Sequence, residues 1–329
     1  MILVTGGAGY IGSHCVLKLL MQGQEVVIFD NLSTGHIEII DELKKHYNFT
    51  FIKGDLLCED DLGKLFSEYN FDAVMHFAAF SQVGESVLNP QKYYTNNVVG
   101  TLNLLKRMVE SNVKKLVFSS TAAIYGEPLY VPIDENHPQN PVNPYGKTKL
   151  MLENIMDDFD KAYGLKSVRL RYFNVAGASS LLNIGELHTP ETHLIPNILK
   201  SIFDEHKTFE LYGQDYDTKD GTCVRDYINI DDLATAHVLA LDYLDKYNKT
   251  DFFNLGTKEG YTVKEVFTEC ELVTQKNIQI NYKPRREGDS AKLVADITKA
   301  NQILGWNPVK TLKDSIETAY NWEKYLNKI

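Results

Sequence analysis

Ile2-Leu3-Val4-Thr5-Gly6-Gly7-Ala8-Gly9-Tyr10-Ile11-Gly12-Ser13-His14 is the stretch that decides the fold. Ile2 to Thr5 reads as a short apolar strand, and a helix-like run covers Ser13 to Met21. A strand that turns on glycines straight into a helix aims backbone N–H groups and the positive helix end at one point. That point suits a pyrophosphate. One glycine makes the turn, one lets the backbone approach the phosphates, and one lets helix pack on strand. The motif alone is weak, because an ordinary glycine turn can match it. Its surroundings strengthen it. The next apolar run, Glu25-Val26-Val27-Ile28-Phe29, ends at Asp30, near the spacing of about 20 residues expected of an acid that accepts from an adenosine ribose. A carboxylate there would repel a 2′-phosphate, which favours NAD over NADP.

Outward from this element the chain alternates. Strand-like runs are Ile2–Thr5, Glu25–Phe29, Thr50–Lys53, Ala73–Phe77, Lys115–Ser119 and Ser167–Phe173, with helical stretches Ser13–Met21, Asp60–Tyr69, Gln91–Ser111 and Tyr145–Tyr163 between them. Alternation of this kind predicts an α/β fold, a doubly wound parallel Rossmann sheet with helices on both faces. Ligands then bind at the carboxyl ends of the strands. The candidate residues fall there: Gly6 to Gly12, Asp30, Asp55, Phe77 to Ser81, Ser119 to Tyr125, and Phe173 with Asn174. From about Ala176 the pattern loosens into loops such as Ser179–Pro190 and Gly213–Thr222. A helix over Asp231–Tyr247 and a strand over Phe252–Leu255 look like a return to the sheet. The expected organisation is therefore a dinucleotide-binding domain over 1–177 that also receives about 227–256. The rest of 178–329 forms a smaller C-terminal substrate-binding lobe. The helix Leu312–Leu326 looks amphipathic, as packing alone would require.

Composition excludes several functions. A net charge of −10 with no basic block disfavours nucleic acid and anionic membranes. No apolar run approaches the about 18 residues of a membrane span. Cys15, Cys58, Cys223 and Cys270 are scattered with no Cys-x-x-Cys pair, which fits a reducing cytoplasm and argues against a structural zinc site. No leader is read ahead of the first strand, so a cytoplasmic location is expected. The nine histidines show no His-Glu-x-x-His or similar spacing, and no metal is expected.

The chemistry is carried by Tyr145-Gly146-Lys147-Thr148-Lys149 at the start of a helix. Positions i and i+4 share a face, so Tyr145 and Lys149 project the same way. A phenol with a free pKa near 10 is a poor base at neutral pH. A nearby ammonium and the positive nicotinamide ring of an oxidised cofactor favour the phenolate. Thr121, at the end of strand five, is placed to hydrogen-bond the same substrate oxygen. A base, a cation and a hydroxyl beside a dinucleotide make an alcohol-oxidising site. Alone, Tyr-x-x-x-Lys would be a solvated helix face. Here it follows Ser119-Ser120-Thr121 in a chain that already has the dinucleotide turn.

These motifs resemble the extended short-chain dehydrogenase/reductases, and within them the UDP-glucose 4-epimerases. The resemblance runs nearly end to end. Its segments are Thr5 to His14, Phe29-Asp30-Asn31-Leu32, Gly54-Asp55-Leu56, His76-Phe77-Ala78-Ala79, Val83-Gly84-Glu85-Ser86, Tyr145 to Lys149, Arg171-Tyr172-Phe173-Asn174, Asp220-Gly221-Thr222-Cys223-Val224-Arg225-Asp226-Tyr227 and Pro284-Arg285-Arg286-Glu287-Gly288-Asp289. The glycine turn and the Tyr/Lys segment are shared widely in the superfamily. The Arg225 and Arg286 segments are more restricted and select nucleotide-sugar 4-epimerases.

The resemblance implies the following roles. Gly6, Gly9, Tyr10, Ile11 and Gly12 hold the pyrophosphate of NAD. Asp30 and Asn31 hold the adenosine ribose, with Leu32, Ser33, Thr34 and Gly35 continuing that wall, and Asp55 and Leu56 flank the adenine. Phe77, Ala78, Ala79, Ser81 and Asn96 line the pyrophosphate and ribose path. Lys149 bonds the nicotinamide ribose, and Phe173 closes the nicotinamide pocket. Thr121, Tyr145, Asn174, His193, Leu194, Tyr212, Arg225, Tyr227, Arg286, Asp289 and Leu293 contact UDP-glucose or UDP-galactose. A homodimer through Gln91–Ser111 and Tyr145–Tyr163 is implied as well. Two arginines near a diphosphate make physical sense, since the guanidinium fork matches phosphate oxygens.

The chain departs from the family pattern at three positions. Ser81 stands where some members carry a lysine, and Thr121 replaces the common serine while keeping a hydroxyl. Leu293 stands at the position that gates the sugar pocket; its intermediate size leaves N-acetylated sugars open. A 4-epimerase of another UDP-sugar, such as UDP-N-acetylglucosamine, a pentose or a uronate, is therefore the alternative. A sugar-nucleotide 4,6-dehydratase would need an acid pair just after Thr121, where Ala122 and Ala123 stand. A non-catalytic NAD sensor would not need Tyr145 and Lys149. A net oxidoreductase would need an exchangeable cofactor.

Overall fold

The computed structural model describes residues 1–204, 208–286 and 288–328. Seven strands form one sheet: β1 (Ile2–Thr5), β2 (Val26–Asp30), β3 (Thr50–Lys53), β4 (Ala73–His76), β5 (Lys115–Ser119), β6 (Lys166–Tyr172) and β7 (Asp251–Leu255). Their order is β7-β6-β5-β4-β1-β2-β3, and every neighbouring pair is parallel. The order reverses at β1, between β2 and β4, and an open α/β sheet binds its ligand at such a point. The expected doubly wound sheet is thus observed. β2 ends one residue later than the sequence suggests, so Asp30 is the last residue of the strand.

Alternation within the strands explains why helices cover both faces. Ile2 and Val4 of β1 pack with Val16 and Leu19 of the helix Tyr10–Met21 and with Leu233, Ala236 and Leu244 of the helix Ile230–Tyr247. Leu3, between them, faces the opposite side with Leu62, Leu65, Leu104 and Met108. A strand buried on both faces reads as a continuous apolar run. Each such side chain contributes about 1.5–3 kcal/mol of burial.

The expected helix Gln91–Ser111 is in fact three pieces: Pro90–Tyr93, a π-helical turn Tyr94–Val99, and Gly100–Glu110. Asn97 explains the wide turn. Its carboxamide accepts from Phe80 N (2.9 Å) and donates to Phe80 O (3.0 Å), which draws the turn toward the loop after β4.

The remaining segments form a third apolar cluster around Ile198, Leu211, Val266, Phe267 and Ile316. Its strands are short. Phe209–Tyr212 pairs parallel with Ile280–Lys283, and Val224–Arg225 lies between Tyr261–Thr262 and Lys292–Leu293. Arg225 is directly in register with Leu293. The helix Leu312–Leu326 packs here and also donates from Trp322 Nε1 to Glu186 O at 2.7 Å. No helix among the described residues is long and apolar enough to cross a membrane.

Candidate active site

The glycine turn after β1 is set by close backbone approach. Gly6 has φ +74°, and a Cβ there would stand 2.5 Å from Ala78 N in the loop after β4. At Gly12 a Cβ would stand 2.2 Å from Gly6 O, so only glycine lets the helix begin against the turn. The helix Tyr10–Met21 has Gly9 as N-cap with no side-chain cap. Its first N–H groups are therefore left for a ligand, and the helix end favours an anion. Asp30 closes this end of the site. Its carboxylate accepts from Ala8 N (3.0 Å) and Leu32 N (2.8 Å). Burial still raises it above the ordinary aspartate range, and those two bonds oppose the rise. Asn31 donates to Asp55 across the tips of β2 and β3 at 3.0 Å, and its carbonyl accepts from Ser33 N.

These residues line a cleft of about 730 Å³ along the carboxyl ends of the strands. It gathers Gly6, Gly9, Tyr10, Ile11, Gly12, Asp30, Asn31, Ser33, Thr34, Gly35, Asp55, Leu56, Phe77, Ala78, Ala79, Ser81, Asn96, Thr121, Tyr145, Lys149 and Phe173. Leu32 is the exception among the expected cofactor residues. It sits at φ +60° and packs on the core beneath, where it touches neither cleft described here. An uncapped helix start, a glycine cradle and a carboxylate at the tip of β2 fit a dinucleotide.

The Tyr145 and Lys149 pair is positioned by helix capping. Asn143 caps the helix Pro144–Tyr163 by accepting from Gly146 N at 2.8 Å, with Pro144 in the first turn. This fixes Tyr145 and Lys149 at the mouth of β5. Thr121 turns the chain out of that strand, its hydroxyl accepting from Ala123 N, and it also hydrogen-bonds the Tyr145 phenol. Lys149 Nζ donates to Ser119 O at 2.7 Å and lies 5.9 Å from the centre of the Tyr145 ring. Burial pushes the Tyr145 phenol up to about 12, opposed by the Thr121 bond, and pushes Lys149 down to about 7. The protein's own surroundings therefore favour the neutral phenol. A positive charge brought by a ligand would shift the balance toward phenolate.

One buried network escapes the sequence reading. Glu153, one turn beyond Lys149, accepts from Ser120 Oγ and from Arg171 Nε at 3.1 Å. Arg171 Nη1 donates to the Tyr125 hydroxyl (3.0 Å), which donates to Asn254 (2.6 Å). The Glu153 charge raises the Lys149 pKa against the larger effect of burial. The signal was an extension of the same helix face: Tyr145, Lys149 and Glu153 stand at i, i+4 and i+8.

The other wall comes from the lobe. Asn174, His193, Arg225, Asp289 and Leu293 reach the first cleft. Leu194, Tyr212, Tyr227 and Arg286 line an adjoining cleft of about 680 Å³, which Asn174, His193, Arg225 and Asp289 also border. The Arg286 guanidinium lies 3.9 Å from the centre of the Tyr212 ring. Arg225 donates to Val224 O (2.9 Å) and Ser290 O (2.8 Å), and pairs with Asp289 at 3.5 Å. Asn174 Nδ2 donates to Asp226 O, and burial raises the Tyr227 phenol. Glu287, between Arg286 and Gly288, lies outside the described residues. His193 pairs with the buried Glu186, which pushes the imidazole up to about 9 against its burial. His188, a second partner of Glu186, was not singled out from the sequence.

Three comparisons complete the site. The family described as GDP-mannose 4,6 dehydratase matches residues 3–319. The UDP-glucose 4-epimerase of Lactobacillus helveticus is 52% identical over 324 residues, covering 98% of this chain and 97% of that protein. The crystal structure of UDP-glucose 4-epimerase from Brucella ovis in complex with NAD superposes with a TM-score of 0.93 at 43% identity, over 97% of each chain. That of the Bifidobacterium longum enzyme in complex with NAD+ and UDP gives a TM-score of 0.94 at 40% identity, over 99% of this chain and 98% of that one.

Proposed function

We propose that this chain, which belongs to the UDP-glucose 4-epimerase family of extended short-chain dehydrogenase/reductases, interconverts UDP-glucose and UDP-galactose by inverting C4. The observation that carries the reading is the convergence of Tyr145, Thr121 and Lys149 in the cleft that starts at the glycine turn. Resident NAD, held along Gly6–Gly12 and by Asp30, supplies an acceptor that takes the C4 hydride and gives it back. As the phenolate that the positive nicotinamide ring favours, Tyr145 takes the proton of the 4-hydroxyl and returns it to the same oxygen, with Thr121 holding that oxygen in place. No net oxidation results, so the enzyme is an isomerase. Inversion requires the 4-keto sugar to present its other face between the two steps. The nucleotide end must be gripped while the sugar stays loose. Arg225, Arg286, Tyr212 and Asp289 supply the grip in the lobe. Ala122 and Ala123, which offer no acid to expel water, favour epimerisation over dehydration.

We assign NAD to residues 1–177 with about 227–256, and the sugar nucleotide to the remainder; the pairing of β7 with β6 supports this division. The working form is a cytoplasmic homodimer serving galactose metabolism. Exposed Val99 and Met151, within the stretches Gln91–Ser111 and Tyr145–Tyr163, support pairing through those helices. The experiment is to incubate the protein with UDP-galactose, and separately with UDP-N-acetylgalactosamine, without added cofactor, and to follow C4 by NMR. Conversion of UDP-galactose with transient near-ultraviolet absorbance of bound NADH is expected. No conversion of either sugar overturns the reading. The second substrate tests whether Leu293, half-buried and in register with Arg225, admits an N-acetyl group.

A further inference from the structure

The loop where the two clefts meet carries Glu186, His188, Glu191 and His193, each offering one ligand atom, and these atoms all lie within 4.8 Å of one another. His188 Nδ1 is 2.9 Å from Glu186 Oε1 and 4.0 Å from Glu191 Oε1, while His193 Nδ1 is 3.7 Å from Glu191 Oε1. In a tetrahedral zinc site, with bonds of about 2.0–2.1 Å, ligand atoms stand about 3.4 Å apart. The set therefore needs only a modest adjustment, with the pairs to Glu186 opening and the pairs to Glu191 closing.

We propose that these four side chains form a binding site for a borderline divalent transition metal such as Zn²⁺, and that filling it inhibits turnover by fixing His193. The donor set decides the class of ion. Two imidazoles and two carboxylates suit zinc, whereas magnesium and calcium seek six or more oxygens. Burial orients the donors. The Glu186 and Glu191 side chains are 4% and 5% exposed, and the His188 and His193 side chains 24% and 52%. The carboxylates thus form the floor and the imidazoles the rim, which leaves an entry path.

The donors and their loop are also held in place by hydrogen bonds, as metal ligands are. Glu191 Oε1 accepts from Thr192 N (2.8 Å) and His193 N (2.9 Å). The loop carbonyls are gripped by Trp322 at Glu186, by His36 at Leu187 and by Asn197 at His193. Lys200 lies 3.5 Å from Glu191 Oε2, away from the donor Oε1, and competes for that carboxylate. His193 borders both clefts, so an ion that takes its nitrogen withdraws it from the substrate wall.

The inhibitory half of this proposal rests on the proposed reaction; the binding half does not. The test uses the purified holoenzyme, treated with chelator and desalted, then titrated with Co²⁺ and read by its visible bands. Zn²⁺ is added in competition, and epimerisation is followed against each variant's own metal-free rate. The expected result is a saturable tetrahedral Co²⁺ spectrum that Zn²⁺ displaces, with inhibition tracking occupancy. His188→Gln and Glu191→Gln should each weaken binding by about tenfold or more while the far-ultraviolet circular dichroism stays native. No saturable spectrum, or wild-type binding in both variants, overturns the site. Saturable binding at these residues with an unchanged epimerisation rate overturns the inhibitory role alone.

Discussion

The two ends of the cleft are made of different material. At the cofactor end the wall is backbone: a Cβ on Gly6 or Gly12 would run into main-chain atoms 2.5 and 2.2 Å away. At the end made by the lobe, where the sugar nucleotide is proposed to bind, the wall is long side chains, such as Arg286 over Tyr212 and Arg225 against Asp289. A backbone wall cannot give way without refolding its loop, whereas a side-chain wall adjusts by rotamer. One end therefore suits a resident cofactor. The other suits a substrate that must enter, turn over and leave.

Tyr145 stands at the seam, and replacing it gives the largest expected effect. Tyr145→Phe keeps the ring and removes the hydroxyl proposed to carry the proton. General acid–base catalysis contributes about 10²–10⁴-fold, so kcat should fall by about that factor. KM for UDP-galactose and the content of bound NAD should change little. Turnover within a few-fold of wild type would remove Tyr145 from the role of base. A change confined to KM would place it in the side-chain wall instead.

Gly6→Ala strikes the backbone wall itself. The positive φ alone costs about 1–3 kcal/mol for a residue with a Cβ, and the contact with Ala78 N adds to it. The variant should lose bound NAD on purification and show a markedly lower thermal midpoint. Wild-type NAD content in this variant would mean that the cradle is more yielding than its geometry indicates. Arg286→Ala strikes the other wall. NAD content and thermal midpoint should hold while KM for the UDP-sugar rises by about tenfold or more, the usual cost of removing a charged partner from a phosphate. Arg286→Lys should recover little, because the guanidinium plane stacked on Tyr212 has no ammonium counterpart. Equal losses of NAD in both arginine variants would break the division between the two walls.

The same contrast explains what was legible in the chain. The backbone wall writes itself locally: glycines within one turn, an apolar run on either side, and an acid at the next strand's end. The Tyr145/Lys149 pair is equally local, an i, i+4 spacing behind a capping asparagine. The lobe is not local. Val224–Arg225, Tyr261–Thr262 and Lys292–Leu293 are too short to show periodicity, and the pairing that sets Arg225 against Leu293 joins distant residues. Only the resemblance pointed to that wall. The π-helical turn at Tyr94–Val99 was hidden for a related reason. Its cause is Asn97 bonding Phe80, a contact between elements. Burial effects were hidden too. The i, i+4 spacing suggests an ammonium beside Tyr145, but folding desolvates that lysine and draws its pKa to about 7.

Histidines extend the contrast to pH and give the smallest effect. At the cofactor end, burial lowers His76 to about 3 and both His14 and His237 to about 4. At the other end Glu186 raises His193. His237 is the cleanest probe. It is buried, its Nδ1 bonds Leu233 O at 2.9 Å, and its ring packs beside Phe77 and Tyr172 at the cleft. Its pKa is lower in the folded chain than in the unfolded one, so the unfolded state binds more protons between about 6.5 and about 4. Stability from the neutral ring is complete above pH 6.5 and drains away as the pH falls through that window. The loss amounts to about 1–2 kcal/mol by pH 5. His237→Leu removes the proton site and keeps an apolar filling. Its unfolding free energy from denaturant titration should match wild type at pH 7.5 to within about 1 kcal/mol and exceed it at pH 5. Parallel acid limbs for the two proteins would show that His237 does not take up a proton on unfolding, and the acid weakness would then have to be sought at His14 and His76.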